Sequence, residues 1–216
     1  MNSGERHLYT QIDQDFYRKQ QASKNPLRSW YHNRRYQIAD SLVKSKYQPG
    51  QKIIDLGCGS CDWNRDQLDV FGVDYNEGLL ALAKQKNRIS DYKIAAVTRT
   101  ELPDQSFDIV TAFELLEHIY NYPQLIIESR RLLKTGGHCI ISVPYDVLFS
   151  LWRPLFFLHS VWQGHILQNA YYKKNCGHLH RFSVPKLIEL FSKYGFNIDS
   201  ISVMRWFTIF LSAQKK

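Results

Sequence analysis

Two aspartates stand at the ends of two short apolar runs, and the first of them opens a stretch rich in glycine. Asp55 follows two isoleucines in IIDLGCGSCDWN (residues 53–64), and Asp74 ends the run VFGVD. Gly57 and Gly59, in the loop after Asp55, allow a backbone to approach a ligand without a Cβ in the way. The pattern predicts a small-molecule site that two carboxylates line where two strands end.

Three classes of ligand bind to glycine loops of this kind. A dinucleotide site requires G-x-G-x-x-G, but Asp62 occupies the position of the third glycine. A P-loop requires G-x-x-x-x-G-K-[ST], and the sequence does not contain it. S-adenosylmethionine (SAM) carries an ammonium and a sulfonium in place of phosphate, so carboxylates attract it where they would repel a pyrophosphate. The two acids therefore favour SAM, and Asp74 would accept hydrogen bonds from its ribose hydroxyls.

The elements that would position these residues alternate along the chain. The sequence predicts strands over 52–56, 70–74, 92–97, 107–113 and 138–144, helices over 9–22, 29–47, 76–86, 122–134 and 183–195, and a hairpin of strands 196–204 and 206–214. This order predicts an α/β fold, a Rossmann-like doubly wound sheet that is mostly parallel and ends in a C-terminal antiparallel hairpin. Ligands of such sheets bind outside the carboxyl ends of the strands.

The length of 216 residues is enough for one domain with a complete hydrophobic core. We expect a single domain over 1–216 with four parts: a helical N-terminal cap (1–48), a SAM-binding core (50–145), an acceptor-side insert or lid (145–182) and a final helix with a hairpin (183–216). The four cysteines are too few for a disulfide framework and favour a reducing compartment. The predicted location is therefore the cytoplasm.

Charge and hydropathy restrict the partners. The net charge of +8 favours anionic partners or serves solubility alone. The N-terminus lacks the apolar core of a signal peptide, and no uninterrupted apolar run of about 20 residues spans a membrane. Residues 147–163, in which two tryptophans flank Arg153, suit a helix at a membrane surface, the lid of an acceptor pocket or a buried helix. Peripheral membrane contact through this segment is one of these alternatives.

Four segments, in this order, resemble the class I SAM-dependent methyltransferases, especially the type 11 small-molecule group and the ubiquinone-biosynthesis-like O-methyltransferases. They are IIDLGCGS, VFGVDYNEGLLALAKQK, ELPDQSFDIVTAFELLEHI and SRRLLKTGGHCIISVP, and the resemblance covers about residues 50–145. It implies contacts to SAM by Asp55, Gly57, Cys58 and Gly59 at the methionine end, Asp74 at the ribose, Tyr75 at the adenine, Thr98 and Arg99 at the adenine amine, and Phe113 and Glu114 at the sulfonium. Cys61 departs from the family pattern by replacing its third glycine.

Three histidines are candidates for a catalytic base or for a structural hydrogen bond. His118 lies in LLEH after the fourth strand, and His178 and His180 lie in CGHLHRFS before the last helix. A histidine is suited to removing a hydroxyl proton because its pKa is close to neutral pH. Cys58 and Cys61 form a C-x-x-C pair, but zinc would need further ligands such as Cys176, and we expect no metal.

The resemblance implies methyl transfer from SAM to a small or lipid-linked acceptor, with a hydroxyl as the expected acceptor group. The positive charge suggests an RNA methyltransferase as an alternative, but strand four continues into FELLEH and not into the [DN]-P-P-[FY] typical of base-amine methylation. Nucleic acid is therefore not the expected partner. A non-catalytic SAM-binding interaction protein is a further alternative, because Cys61 and Thr98 depart from the family pattern. An Arg at 34 or 35, before the first strand, is a candidate for pairing with the SAM carboxylate.

Overall fold

The structure of the protein is a computed structural model that describes residues 21–145, 178–205 and 207–216, together with residues 19 and 161. Nearly all of the predicted helix 9–22 and of the segment 147–163 lies outside the described residues, and so does Cys176.

Seven strands form one sheet in the order β3-β2-β1-β4-β5-β7-β6. They are β1 (Ile53–Leu56), β2 (Val70–Asp74), β3 (Asp91–Ile94), β4 (Phe107–Phe113), β5 (Leu133–Pro144), β6 (Phe196–Met204) and β7 (Thr208–Lys215). The first five strands are parallel, and β7 pairs antiparallel with both β5 and β6. The predicted sheet is confirmed. The strand order reverses between β1 and β4, which is where sheets of this type bind ligands.

Helices cover both faces of the sheet and begin at recognisable caps. They are α1 (Pro26–Lys46), α2 (Glu77–Gln85), α3 (Tyr122–Leu132) and α4 (Val184–Lys193), with a short 3₁₀ helix at Leu116–His118. Asn76 Oδ1 accepts a hydrogen bond from the Leu79 N–H at the start of α2, and the Ser183 side chain accepts one from the Lys186 N–H at the start of α4. Such caps satisfy backbone donors that have no partner inside the helix.

The alternation of side chains along the strands divides the core into two layers. Ile54 and Val110 belong to the layer that packs beneath α3 and α4, whereas Ile53 and Ile109 belong to the layer beneath α1 and α2. Every residue of β1 is buried, as expected for a central parallel strand covered on both faces. The rigid centre of the sheet therefore fixes the places at which β1, β2 and β4 end.

Two strand boundaries differ from the predicted ones. β3 ends at Ile94 and not at 97, because the chain turns there and Ala96 pairs with Arg99 in an isolated bridge. β5 begins at Leu133 and not at 138, because the pair of glycines forms a bulge within the strand and does not end the helix before it. A Cβ on Gly137 would lie 2.8 Å from the Asp108 carbonyl oxygen, so the bulge requires glycine at this position.

The helices of the described residues were also compared with the requirements of a membrane span. None of them is both long enough and apolar enough to cross a bilayer.

Candidate active site

A cavity of about 400 Å³ opens where β1, β2 and β4 end at the carboxyl edge of the sheet. Its volume lies in the range of small-molecule sites, roughly 300–1,000 Å³. The glycine loop after β1, the turn after β2, the loop after β3 and the segment after β4 form its walls, and Arg35, Tyr36 and Ala39 of α1 close one side. The cavity therefore occupies the position that the fold predicts for a ligand.

Asp55 lies in the wall of this cavity and is almost completely buried, with 2% of its surface exposed. Its Oδ1 accepts a hydrogen bond of 2.7 Å from the Thr111 hydroxyl, and its Oδ2 accepts one of 2.8 Å from the Trp63 indole N–H. Burial raises the pKa of Asp55 to about 6, although these hydrogen bonds oppose the rise. Asp55 is thus a negatively charged group at neutral pH, and the protein holds both of its oxygens.

The glycine loop owes its shape to three residues with positive φ. Gly57 and Gly59 have φ of +68° and +51°, and Cys61 has φ of +47°. A Cβ on Gly57 would lie 2.6 Å from a methyl carbon of Leu115, so only glycine fits there. The position where the family pattern has its third glycine keeps the left-handed conformation in this chain, although Cys61 carries a side chain. This conformation costs a non-glycine residue about 1–2 kcal/mol.

Asp74, at the end of β2, fastens this loop to the start of α2. Its Oδ2 accepts a hydrogen bond of 2.9 Å from the Gly59 N–H, and its Oδ1 accepts one of 2.9 Å from the Asn76 N–H. Burial raises the pKa of Asp74 above its ordinary value. The side chain lines the cavity beside Tyr75 and Cys58, as the sequence predicts for these three residues.

The structure separates Thr98 from Arg99, which the sequence placed together at the ligand. Thr98 lines the cavity, but the Arg99 side chain is 83% exposed and lies 3.8 Å from the Glu101 carboxylate. The Ala96–Arg99 bridge turns the two neighbouring side chains in different directions. The prediction of Arg99 as a cavity residue is therefore corrected.

A carboxylate from α3 holds this loop in place. Glu128 Oε1 accepts hydrogen bonds of 2.7 Å from both the backbone N–H and the hydroxyl of Thr100, and a third of 2.7 Å from Arg131 Nη2. Burial pushes the pKa of Glu128 up, but the donors from Arg131 and Thr100 outweigh it and lower the pKa to about 2. The position of Thr98 in the cavity wall depends on this fixed loop.

Glu114 begins the segment after β4 with a left-handed backbone, φ +51°. Its N–H donates to the Ser142 carbonyl at 2.9 Å, and its Oε1 accepts 2.8 Å from the Ser142 hydroxyl. Its Oε2 pairs with Arg35 Nη1 at 3.0 Å. The Arg35 guanidinium lies over the rings of Tyr31 and Tyr36, with 5.5 and 5.2 Å to their centroids. This ion pair compensates the charge of Glu114 and ties α1 to the end of β4.

The predicted bases differ in their relation to the cavity. His118 lines the cavity, whereas His178 and His180 are not in its wall. Burial, and then the neighbouring His118, lower the pKa of His178 to about 3, so His178 is a neutral imidazole and a weak base at neutral pH. His180 Nε2 lies 3.0 Å from the Tyr120 carbonyl oxygen, to which it donates. Of the three histidines, His118 alone is placed to meet a ligand in the cavity.

Sequence reasoning did not identify two residues of this site. Trp63 donates to Asp55 and packs edge-on against Phe113, with 5.7 Å between ring centroids. Glu117, inside the quoted motif LLEH, is 1% exposed, and within the described part of the chain neither of its carboxylate oxygens has a hydrogen-bond partner. Burial and then the charge of Glu114 raise the pKa of Glu117 well above its ordinary value. The acid beside a candidate base was the available signal.

The family model described as a methyltransferase domain matches residues 30–201 of this chain. The chain belongs to this family, the class I SAM-dependent methyltransferases, as the four motifs predict. The predicted cofactor, SAM, is that of the family, and the residues fit it: among the described residues Asp55 and Asp74 have no ion-pair partner, and they stand beside a glycine loop that a Cβ would obstruct.

Individual proteins agree with this assignment. A demethylmenaquinone methyltransferase of Bacillus mycoides is 33% identical over 125 residues, which are 51% of this chain and 53% of the relative. A ubiquinone biosynthesis O-methyltransferase of Acinetobacter baumannii is 28% identical over 155 residues, 65% of this chain and 61% of the relative. The chain thus spans between half and two thirds of the length of these relatives.

A solved structure shows the same fold over the whole chain. The magnesium protoporphyrin IX methyltransferase of Synechocystis, solved with S-adenosylhomocysteine (SAH) bound, superimposes with a TM-score of 0.71 at 18% identity, and each chain covers 100% of the other.

Proposed function

We propose that the protein transfers the methyl group of SAM to a hydroxyl oxygen of a small or lipid-linked acceptor. The observation that carries this proposal is the pair of carboxylates, Asp55 and Asp74, that ends β1 and β2 in the wall of one cavity. A chain of the methyltransferase family with this pair has the charge that a sulfonium and an ammonium require.

Five positions would hold the cofactor in defined roles. Each oxygen of Asp74 accepts one backbone N–H, which leaves further lone pairs for the two ribose hydroxyls. Asp55 and the loop at Gly57 would face the methionine end, and Tyr75 and Thr98 the adenine. Bound SAM supplies an electrophilic methyl group on a sulfonium that is already a good leaving group. The protein then has to position the acceptor oxygen and exclude water.

The residues after β4 are the proposed acceptor side. Phe113 and Glu114 border the expected place of the sulfonium, and His118 lies in the same wall. A hydroxyl that attacks the methyl carbon forms a C–O bond as the C–S bond breaks, and its proton has to leave. His118 is the histidine placed to take part in that step. The names of the two relatives, which refer to menaquinone and ubiquinone, support a quinone-related acceptor with a ring hydroxyl.

The two alternatives make different predictions about the same molecule. A non-catalytic SAM-binding protein would bind SAH but give no methyl transfer to any acceptor class. An RNA methyltransferase would label RNA and not a phenolic compound. Membrane contact through 147–163 belongs to this proposal as a means of reaching a lipid-linked acceptor, and that segment lies almost wholly outside the described residues.

Calorimetric titration with SAH tests the cofactor site. We expect the wild type to bind one SAH and Asp74→Ala to lose at least about tenfold in affinity, a change of about 1.4 kcal/mol. Asp69→Ala, at an exposed aspartate just before β2, is the matched control and should bind as the wild type does. Absence of SAH binding by the folded wild type would contradict the proposal. Binding would be followed by transfer assays with labelled SAM and phenolic acceptors.

A further inference from the structure

A carboxylate and two imidazoles meet at the 3₁₀ helix that follows β4. Glu117, His118 and His178 each offer one ligand atom, and these atoms all lie within 4.8 Å of one another. His118 Nε2 is 3.7 Å from Glu117 Oε1, and the two imidazole rings are 4.9 Å apart between centroids. The cluster joins residues that are sixty positions apart in the sequence.

Backbone pairing holds the two segments together. The Glu117 carbonyl oxygen accepts the N–H of Leu179 at 2.8 Å and the N–H of His180 at 3.2 Å. His178 is therefore fixed beside the 3₁₀ helix by the main chain. The position of its ring against His118 does not depend on a chance side-chain contact, so the cluster is a built feature of the fold.

The Glu117 side chain shows that something is required in this cluster. It is 1% exposed, and among the described residues no donor reaches either of its oxygens within hydrogen-bond distance. A buried carboxylate without donors is unfavourable, and proteins normally satisfy it with hydrogen bonds, a cation or a metal. Arg35, the nearest candidate cation in the wall, is already paired with Glu114.

We propose that Glu117, His118 and His178 bind a divalent first-row transition metal ion such as Mn²⁺, Co²⁺ or Zn²⁺. Two imidazoles and one carboxylate form a ligand set that such ions accept. Ligand atoms about 2.1 Å from one ion lie within ~4.2 Å of one another, so small side-chain rotations from the present separation would complete the site. Three protein ligands leave at least one coordination position for another molecule.

The open position identifies the acceptor class, and this step rests on the proposed function. His118 lines the cavity, so an ion bound to it would face the acceptor. A metal ion lowers the pKa of a coordinated hydroxyl, whose proton then passes to water, and the resulting oxyanion forms the C–O bond as the C–S bond breaks. His118 then acts as a ligand, and the ion activates the hydroxyl. An acceptor with two adjacent oxygens, such as a catechol, would chelate the ion.

Titration of the chelator-treated, full-length protein with Co²⁺ tests the metal site without any reaction. Coordination by imidazole gives visible absorption bands, and we expect saturation at one ion per chain, with displacement by Zn²⁺. Glu117→Gln and His178→Asn should each weaken Co²⁺ binding at least about a hundredfold. His180→Asn is the matched control, because His180 lies in the same segment but donates to Tyr120, and it should bind Co²⁺ as the wild type does.

Thermal melting separates loss of the site from loss of the fold. Metal ions should raise the melting temperature of the wild type and of His180→Asn, and leave that of Glu117→Gln unchanged. Metal-free Glu117→Gln should melt no lower than the metal-free wild type. No Co²⁺ binding by the folded wild type, or unchanged binding in both cluster variants, would overturn the metal site.

Transfer assays test the acceptor class separately. With labelled SAM, we expect methylation of a catechol to exceed that of the matched monophenol at least about tenfold, and a chelator to abolish the difference. If Co²⁺ and SAH both bind but catechol and monophenol react equally, the chelating acceptor is wrong. If SAH does not bind, the proposed function fails, while the Co²⁺ titration still decides on the metal site.

Discussion

Asp55 and Glu117 are two buried carboxylates at the same cavity, and the protein treats them in opposite ways. Asp55 accepts hydrogen bonds from Thr111 and Trp63, one on each oxygen. Glu117 is equally buried, yet among the described residues no donor reaches its oxygens. Burial is therefore not what distinguishes them. The first carboxylate has its partners within the fold, and the second has a vacant donor shell that a ligand can complete.

The difference follows from where the donors come from. Asp55 lies between central strands, so β4 and the glycine loop both supply side chains to it. Glu117 lies on a single turn of 3₁₀ helix, whose main chain pairs with residues 179 and 180 while its carboxylate faces imidazoles. Strand ends thus give the cofactor side a preformed set of partners, and the acceptor side has groups that an added molecule can join.

The strongest test of the comparison removes a carboxylate that has even more partners than Asp55. Glu128 accepts from Thr100 and Arg131 and is 6% exposed at its side chain. Because Glu128→Ala leaves an uncompensated arginine and unpaired donors, it should lower the free energy of unfolding by about 3–5 kcal/mol. Urea denaturation measures this. Glu101→Ala, at an exposed position of the same loop, should change stability by less than about 0.5 kcal/mol. Equal effects of the two variants would show that these hydrogen bonds contribute little.

The pH dependence of unfolding sharpens the description of Asp55. Its pKa is about 6 in the folded protein and 3.8 ordinarily, so the folded state binds more protons between these values. Its contribution to stability therefore rises as the pH falls through 6 towards 4, by about 2–3 kcal/mol. Asp55→Asn removes this contribution, and the difference in unfolding free energy between wild type and variant should change by that amount. Urea titrations at pH 7 and pH 4 check it.

Other carboxylates act in the opposite direction, which makes the difference between the two proteins the relevant quantity. Glu128, with a pKa of about 2, stabilises the fold above its ordinary pKa of 4.5 and loses that effect as the pH falls towards 2. If the wild type and Asp55→Asn had parallel pH profiles between pH 7 and pH 4, Asp55 would titrate normally, and its burial would not control its protonation.

The smallest expected effect concerns Glu117 and has the opposite sign. Glu117→Gln removes an acid that has no donors among the described residues, so the metal-free variant should gain about 1 kcal/mol in unfolding free energy at neutral pH. Asp55→Gln is the contrasting variant, because it disturbs the bonds from Thr111 and Trp63 and should be destabilised. Loss of stability in Glu117→Gln as large as in Asp55→Gln would mean that Glu117 already has a partner.

The sequence identifies the strand ends more reliably than the directions of the side chains. The motifs predict the sheet, and they also predict Asp55, Asp74, Thr98 and His118 at its carboxyl edge, because the backbone alone places them there. Arg99 was misplaced because one residue of turn changes which way a side chain points. The cluster around Glu117 was not foreseen, since it depends on pairing between two distant segments.

The two unpaired acids of the cofactor wall also affect what happens after methyl transfer. SAM carries a sulfonium, whereas SAH carries a neutral thioether, so the donor has one more positive charge than the product. Arg35 compensates Glu114, but among the described residues no cation pairs with Asp55 or Asp74. In a poorly hydrated cavity this negative charge retains the donor more strongly than the product. The same electrostatics that load the cavity therefore help to empty it, and they limit inhibition by the spent cofactor.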